Sequence, residues 1–308
     1  MLRQRLLVSS LLIPLLVGLF AWDHQLGSGA PVLLVLVTVL AVRLAFELVQ
    51  LLHRRDLQAS WPLAGIGAAV LVVSGWPGES WGGVCECLVG GSPLERVAGA
   101  LAMVVLVLLL VHALRFREPG SSLGGLGADV LVVVYTGFLL IVTVQLRWTP
   151  RPELGYLALG SLVAAAKMGD TGAYTLGRLF GRKKLHSRLS PGKTWMGALG
   201  AVLGAALGAV AWLEWGRMAF ETGEAGESLP ATSGLPVWLW AAIYGAVIGV
   251  AGLIGDLCES LMKRDAEVKD SAALFPGMGG TLDLLDSILY AGPVAWLFWT
   301  LWPPGLAT

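Results

Sequence analysis

Charge is what this sequence has least of. Only 14% of its 308 residues are Asp, Glu, Lys or Arg, against about 25% in a soluble domain. Apolar residues make up 56%, and the mean hydropathy is +0.74. An ordinary soluble globular domain is thereby excluded. The 21 basic and 21 acidic residues cancel, so no net positive field points to nucleic acid, and no nucleic-acid partner is expected. Cysteine is scarce as well. Of three, Cys85 and Cys87 fall between apolar runs and Cys258 falls within one, and a single C-x-C pair reads as loop cysteine rather than a metal or redox site. No repeat of fixed period is visible. No small-x-small cleavage pattern closes the first apolar run at GLFAWDHQ, so that run reads as an uncleaved first helix and not as a signal peptide.

What the chain does have is long apolar runs, near residues 6–22, 31–52, 61–75, 97–114, 128–146, 154–180, 195–212, 237–262 and 284–302. Most approach the roughly 20 residues that cross a bilayer as helix, the third being short. The expected fold is all-α, a polytopic integral membrane protein of about nine transmembrane helices with the N-terminus inside and the C-terminus outside. Under that alternation fifteen of the 21 Lys and Arg fall on the inner side, where basic residues accumulate. Only Arg96, Arg147, Arg151 and Arg217 fall outside, and Arg43 and Lys167 lie within spans. Tryptophans at run ends, such as Trp22, Trp61, Trp148 and Trp302, suit interfacial belts.

The spans of residues 1–125 are Leu- and Val-rich and nearly free of polar groups, apart from Arg43 and Glu47, whose i, i+4 spacing reads as an ion pair within one helix. This half is expected to be an anchor. The flexible stretch REPGSSLGGLG leads into residues 126–308, where polar groups enter the spans and catalysis is expected. Gly200, Gly204 and Gly208 share one helix face, a small-xxx-small pattern for close helix packing.

Three inner-side segments hold nearly all the unusual chemistry: residues 167–195, 255–270 and 275–287. Asp170 sits within a span, where an ionisable group is costly and marks function by default, with a pair to Lys167 as its plainer role. LSPGKTW resembles the end of a P-loop, but G-x-x-x-x-G-K-[ST] needs Gly where Ser187 stands. No strand is expected before it, so a Walker fold is excluded. A Ser-Pro-Gly turn followed by lysine, a hydroxyl and a helix start still suits phosphate, making Ser190, Lys193 and Thr194 candidates for substrate binding. The cluster Arg182, Lys183, Lys184 and Arg188 reads as a lipid-headgroup or orientation signal. Asp256, Glu259 and Lys263 follow at i, i+3 and i+7. The last two read as a surface rung, while Asp256 is the functional candidate and Lys263, Arg264 and Lys269 offer donors to phosphate. Asp283 and Asp286 open the last helix. Capping needs one acid; two, with Asp256 on the same side, suggest Mg²⁺ held by few carboxylates and substrate oxygens. Carboxylates for metal beside cations for phosphate describe phosphoryl or nucleotidyl transfer on a lipid.

The run SLMKRDAEVKDSAALFPGMGGTLDLLD, Ser260 to Asp286, is similar to the signature of the phosphatidate cytidylyltransferase (CDP-diacylglycerol synthase) family. DTGAYTLGRLFGRKKL and LSPGKTW resemble that family's two upstream segments in the same order, and the similarity covers about residues 165–290. The resemblance implies a membrane enzyme that joins CTP to phosphatidate, giving CDP-diacylglycerol and pyrophosphate with a divalent metal, Mg²⁺, and room for a second ion. It also implies a bacterial inner membrane, with the active site facing the cytoplasm among membrane lipids. By the same analogy Asp256 and Asp283 hold the metal and Asp286 supports it, while Lys263, Arg264 and Lys269 engage phosphates. Asp170, Asp270, Gly279 and Gly280 join the substrate site. The pattern departs from the family at Met278, Leu284 and Met196, which stand where histidine, arginine and glutamate are usual, and at Thr281, where an apolar residue is usual. A homodimer is compatible with all of this. Two other readings stay open: a CTP-dependent lipid kinase or other membrane cytidylyltransferase, and a non-catalytic lipid-binding protein or transporter.

Overall fold

Proline and short polar side chains set where the helices begin. In the computed structural model, which describes residue 15 and residues 17–77, 91–117, 119–120, 122–220, 235–272, 274 and 279–302, helices α1 (Pro31–His53), α2 (Trp61–Ser74) and α3 (Pro93–Leu114) each carry proline in the first two positions. There a missing N–H leaves no helical bond unmade. The Asp23 carboxylate accepts from the N–H groups of Val32 and Leu33 at 2.7 and 3.3 Å and closes the start of α1. Ser92 and Glu95 form a reciprocal capping box on α3. Residues Ser122–Trp148 make one continuous apolar stretch composed of α4 (Ser122–Val133), a π turn (Val134–Phe138), α5 (Leu139–Val144) and a 3-10 turn (Gln145–Trp148). Then follow α6 (Gly155–Phe180), strands β1 (Lys184–His186) and β2 (Ser190–Thr194), α7 (Trp195–Phe220), α8 (Val237–Asp265) and α9 (Thr281–Leu301).

Among the described residues six stretches are long and apolar enough to cross a membrane: α1, α3, Ser122–Trp148, α7 as far as Gly216, α8 and α9. With 14 residues, α2 is apolar but short. The 26 residues of α6 suffice in length, but its second half, KMGDTGAYTLGR, is too polar to join the six. Eight of the nine apolar runs thus coincide with helices. The first, 6–22, falls largely outside the described residues, and of its neighbourhood residues 17–25 are helical.

The expectation of an all-α chain needs one correction. β1 and β2 pair antiparallel, with Lys184 opposite Thr194 and His186 opposite Ser190, where no strand was expected. Strands of three and five residues that contain Pro, Gly and two lysines carry no alternating apolar pattern to announce them.

By packing, the chain forms two compact units, residues 1–141 with 262–285 and residues 142–261 with 286–308. In the first, Gly67 of α2 receives the side chains of Val104 on α3 and Val133 on α4, and Gly137 of the π turn meets the α2 backbone at Ala68. The buried Arg96 guanidinium donates to the carbonyls of Ser74, Gly91 and Trp76 at 3.1, 3.0 and 2.8 Å, satisfying the open end of α2. In the second unit, α6 and α7 touch backbone to backbone. Gly200 and Gly204 lie against Gly172 and Met168, and Gly208 against Met168 and Ala164, the close packing that the four-residue glycine spacing foretold. Tyr244 is buried against Trp240, ring centroids 5.2 Å apart, and its hydroxyl meets Ser161 Oγ at 3.1 Å.

Candidate active site

Three acids converge in the second unit. Asp256 and Glu259 stand one turn apart on α8, Asp286 stands in the second turn of α9, and one carboxylate oxygen of each lies within 4.8 Å of the others. Gly255 makes this approach possible. A Cβ there would lie 2.7 Å from both the Asp286 carbonyl and Tyr290 Cβ, so a side chain would push α9 away from α8. Glu259 and Asp286 are buried, while Asp256 is half-exposed and takes Lys193 Nζ at 2.8 Å.

Lys193 reaches Asp256 from β2. The hairpin ends at Thr194, whose buried hydroxyl accepts from Gly197 N–H at 3.1 Å and caps α7. Thr194, a candidate for phosphate, therefore holds the α7 start, and Lys193 is projected just before it. Both line a cavity of about 300 Å³ together with Asp170, Tyr174, Arg178 and Asp256, at the lower end of small-molecule site volumes. Most of its remaining surface is glycine and alanine from α6, α7 and α8. Asp170 makes the i, i+3 pair with Lys167, at 3.2 Å, and also lines the cavity. Ser190 is half-buried at the start of β2.

In the first unit Asp283 occupies a different setting. Its carboxylate accepts from Lys263 Nζ at 2.6 Å, Ser271 N–H at 2.9 Å, Ser271 Oγ at 2.7 Å and Gly280 N–H at 2.8 Å. Gly279 has φ +90°, and a Cβ there would crowd that carboxylate, which explains glycine at this place. Arg264, Lys269 and Asp270 are exposed at and beyond the end of α8, and Arg264 Nη1 donates to the Val268 carbonyl at 3.4 Å.

One expectation changes here. Glu259 is not on the surface but buried in the acid cluster, and Lys263 pairs with Asp283. Asp256 has Glu259 and Asp286 as acidic neighbours, and Asp283 accepts from the donors just named. The i, i+3 spacing of Asp256 and Glu259 was the signal for the cluster; nothing in the spacing separates Asp283 from Asp286.

The sequence profile of the Cytidylyltransferase family matches residues 3–302. The chain belongs to the Cytidylyltransferase family, and it is a nucleotidyltransferase. It is similar to a phosphatidate cytidylyltransferase of Synechocystis sp., 41% identical over 227 residues, covering 64% of this chain and 70% of that protein. Phosphatidate cytidylyltransferases of Chlamydia pneumoniae, 32% identical over 68% of this chain and 66% of that one, and of Pseudomonas aeruginosa, 31% over 67% and 71%, are similar too. The chain thus spans about two thirds of the length of these relatives. Of the departures from the family pattern, Leu284 is half-buried on α9 and Met196 half-buried in the first turn of α7, Thr281 begins α9, and Met278 lies outside the described residues.

Proposed function

We infer that this member of the Cytidylyltransferase family is a phosphatidate cytidylyltransferase, converting CTP and phosphatidate to CDP-diacylglycerol and pyrophosphate. The observation that carries this reading is Asp256, at once a member of a three-acid cluster, the partner of Lys193 and a wall of the cavity.

A phosphatidate oxygen forms a bond to the α-phosphorus of CTP as the bond to pyrophosphate breaks. The phosphomonoester is largely ionised at neutral pH, its second pKa being about 6, so no side chain must remove a proton from it. Positioning and neutralising charge supply the catalysis. Lys193 faces the cavity as a phosphate donor, and Arg178 stands at its rim. Asp256, Glu259 and Asp286 are an all-oxygen donor set of the kind that hard divalent cations take. Mg²⁺ there would supply positive charge to the substrate phosphates. Lys263 is held by Asp283, whereas Arg264 and Lys269 are exposed.

The same reading puts nine spans in a bacterial inner membrane, N-terminus inside and C-terminus outside, with the catalytic segments facing the cytoplasm. The excess of Lys and Arg on that side supports it. Single cysteines at Lys183 and at Arg151 should label from opposite faces; labelling from one face would overturn the topology. For the activity, purified protein with CTP, Mg²⁺ and phosphatidate in mixed micelles should release pyrophosphate and CDP-diacylglycerol in equal amounts. CDP with a phosphorylated lipid would indicate a kinase, and no turnover by folded protein would refute the proposal.

A further inference from the structure

Glu47 belongs to the apolar α1, yet its side chain is fully buried among polar partners. Oε1 accepts from Arg43 Nε at 3.0 Å and from Thr281 N–H at 3.1 Å, and Oε2 accepts from Leu282 N–H at 2.9 Å and lies 3.3 Å from Ser271 Oγ. Thr281 and Leu282 are the first two residues of α9, whose opening N–H groups have no helical acceptor. α1 thus provides the cap of α9 from more than 230 residues away, and it provides it as a carboxylate, the form a helix N-terminus favours.

The same turn orients Asp283. Ser271 Oγ lies 2.7 Å from Asp283 and 3.3 Å from Glu47, and Gly280 N–H donates to Asp283. At Gly280 a Cβ would collide with Ser271 Oγ and Glu47 Oε2. Arg43, Glu47, Asp283 and Lys263 consequently form one chain of contacts in which two cations balance two carboxylates, bridged by Ser271 and the α9 backbone.

The geometry points to Glu47 as a positioning residue that fixes the first turn of α9 and, through Ser271 and Gly280, the Asp283–Lys263 pair. Both Glu47 oxygens face N–H donors, Arg43 and Thr281 at Oε1 and Leu282 at Oε2. An amide would turn its own NH₂ toward one of them, so Glu47→Gln, nearly identical in shape, is expected to undo the clamp. The kinetic part of this inference rests on the cytidylyltransferase reading; the structural part does not.

The test compares full-length Glu47→Gln with Asp129→Asn. Asp129 is a buried carboxylate of the same unit that accepts from Ser60 N–H at 2.7 Å and pairs with His112, outside this network. Both variants should lower thermal stability. Only Glu47→Gln should lower kcat, by about 10- to 100-fold, the worth of one or two hydrogen bonds to a charged group, with KM for CTP changed less than about threefold. Only it should speed amide exchange across residues 271–285, by roughly tenfold or more. Ser271→Ala, which removes the bridging hydroxyl alone, should reproduce part of both effects and serves if Glu47→Gln does not fold. A Glu47→Gln or Ser271→Ala protein that exchanges like wild type, or that loses stability as Asp129→Asn does while keeping kcat, would overturn the inference. If the wild type makes no CDP-lipid, the nucleotide reading fails by itself, and exchange alone decides whether Glu47 positions this turn.

Discussion

Replacing Glu259 by Gln changes one buried oxygen to NH₂ and leaves the volume intact. If the cluster exists to hold a divalent cation, the metal-free and metal-bound proteins should respond in opposite directions. Ionised carboxylates whose oxygens lie within 4.8 Å repel by roughly 3 kcal/mol per pair at an effective dielectric of about 20. Asp256 is 39% exposed and paired with Lys193, so its share is screened. Relief of about 1–3 kcal/mol is therefore expected in EDTA, seen as a rise of the thermal midpoint in detergent. With Mg²⁺ the order should reverse. Binding to the folded state stabilises by about 2.7 kcal/mol at a hundredfold excess over Kd. The variant, short of one ligand, should need at least about tenfold more Mg²⁺ to reach half of that gain. A Mg²⁺ titration followed by thermal unfolding measures both effects without any turnover. A lower midpoint in EDTA together with an unchanged Mg²⁺ requirement would refute the argument, because Glu259 would then be a structural acid satisfied by protein groups.

Further outcomes are expected. Lys193→Gln removes the 2.8 Å partner of Asp256 from the cavity wall and should raise KM for CTP by about tenfold or more, measurable by initial rates; an unchanged KM would take Lys193 out of the phosphate site. Asp283→Asn removes the 2.6 Å carboxylate partner of the poorly exposed Lys263 ammonium and should cost about 1.5–3 kcal/mol, part of which Asp283→Asn with Lys263→Met recovers in a double-mutant cycle; strictly additive losses would mean the pair is not coupled. Gly204→Val forces a branched side chain into the Met168 carbonyl and Gly172 and should destabilise by about 1–3 kcal/mol or more, whereas Gly192→Ala, in open space, should be near neutral in the same unfolding assay.

The helices were legible because apolar run length is a bulk property: Leu- and Val-rich stretches of about 20 residues announced themselves, and the glycine spacing at 200, 204 and 208 announced their contact. The acids were legible as a set, since carboxylates are rare here. Their partners were not. Asp283 and Asp286 have the same sequence context, and only the way α9 begins sends one to Lys263 and the other toward Glu259. Glu47 was read as half of a local ion pair, which it is, but its bonds to Thr281 and Leu282 join positions more than 230 residues apart and leave no trace in spacing. The β1–β2 hairpin escaped because so short a ribbon needs no apolar face of its own.

The cavity beside Lys193 has one more implication. Residues such as Gly169, Ala173, Gly177, Gly197, Gly249 and Gly252 surround it, so much of its wall is main chain, which has no rotamers to swing aside. Its width is therefore fixed by helix spacing and not by side-chain adjustment. A ligand even slightly thicker would have to prise helices apart, and a methyl group added at Gly197 or Gly249 would press on the facing backbone, 3.1 Å from the Ala173 carbonyl and 2.8 Å from the Ala201 carbonyl. Discrimination between ligands of different cross-section would thus follow from the scaffold, and broadening the slot would take movement of a whole helix.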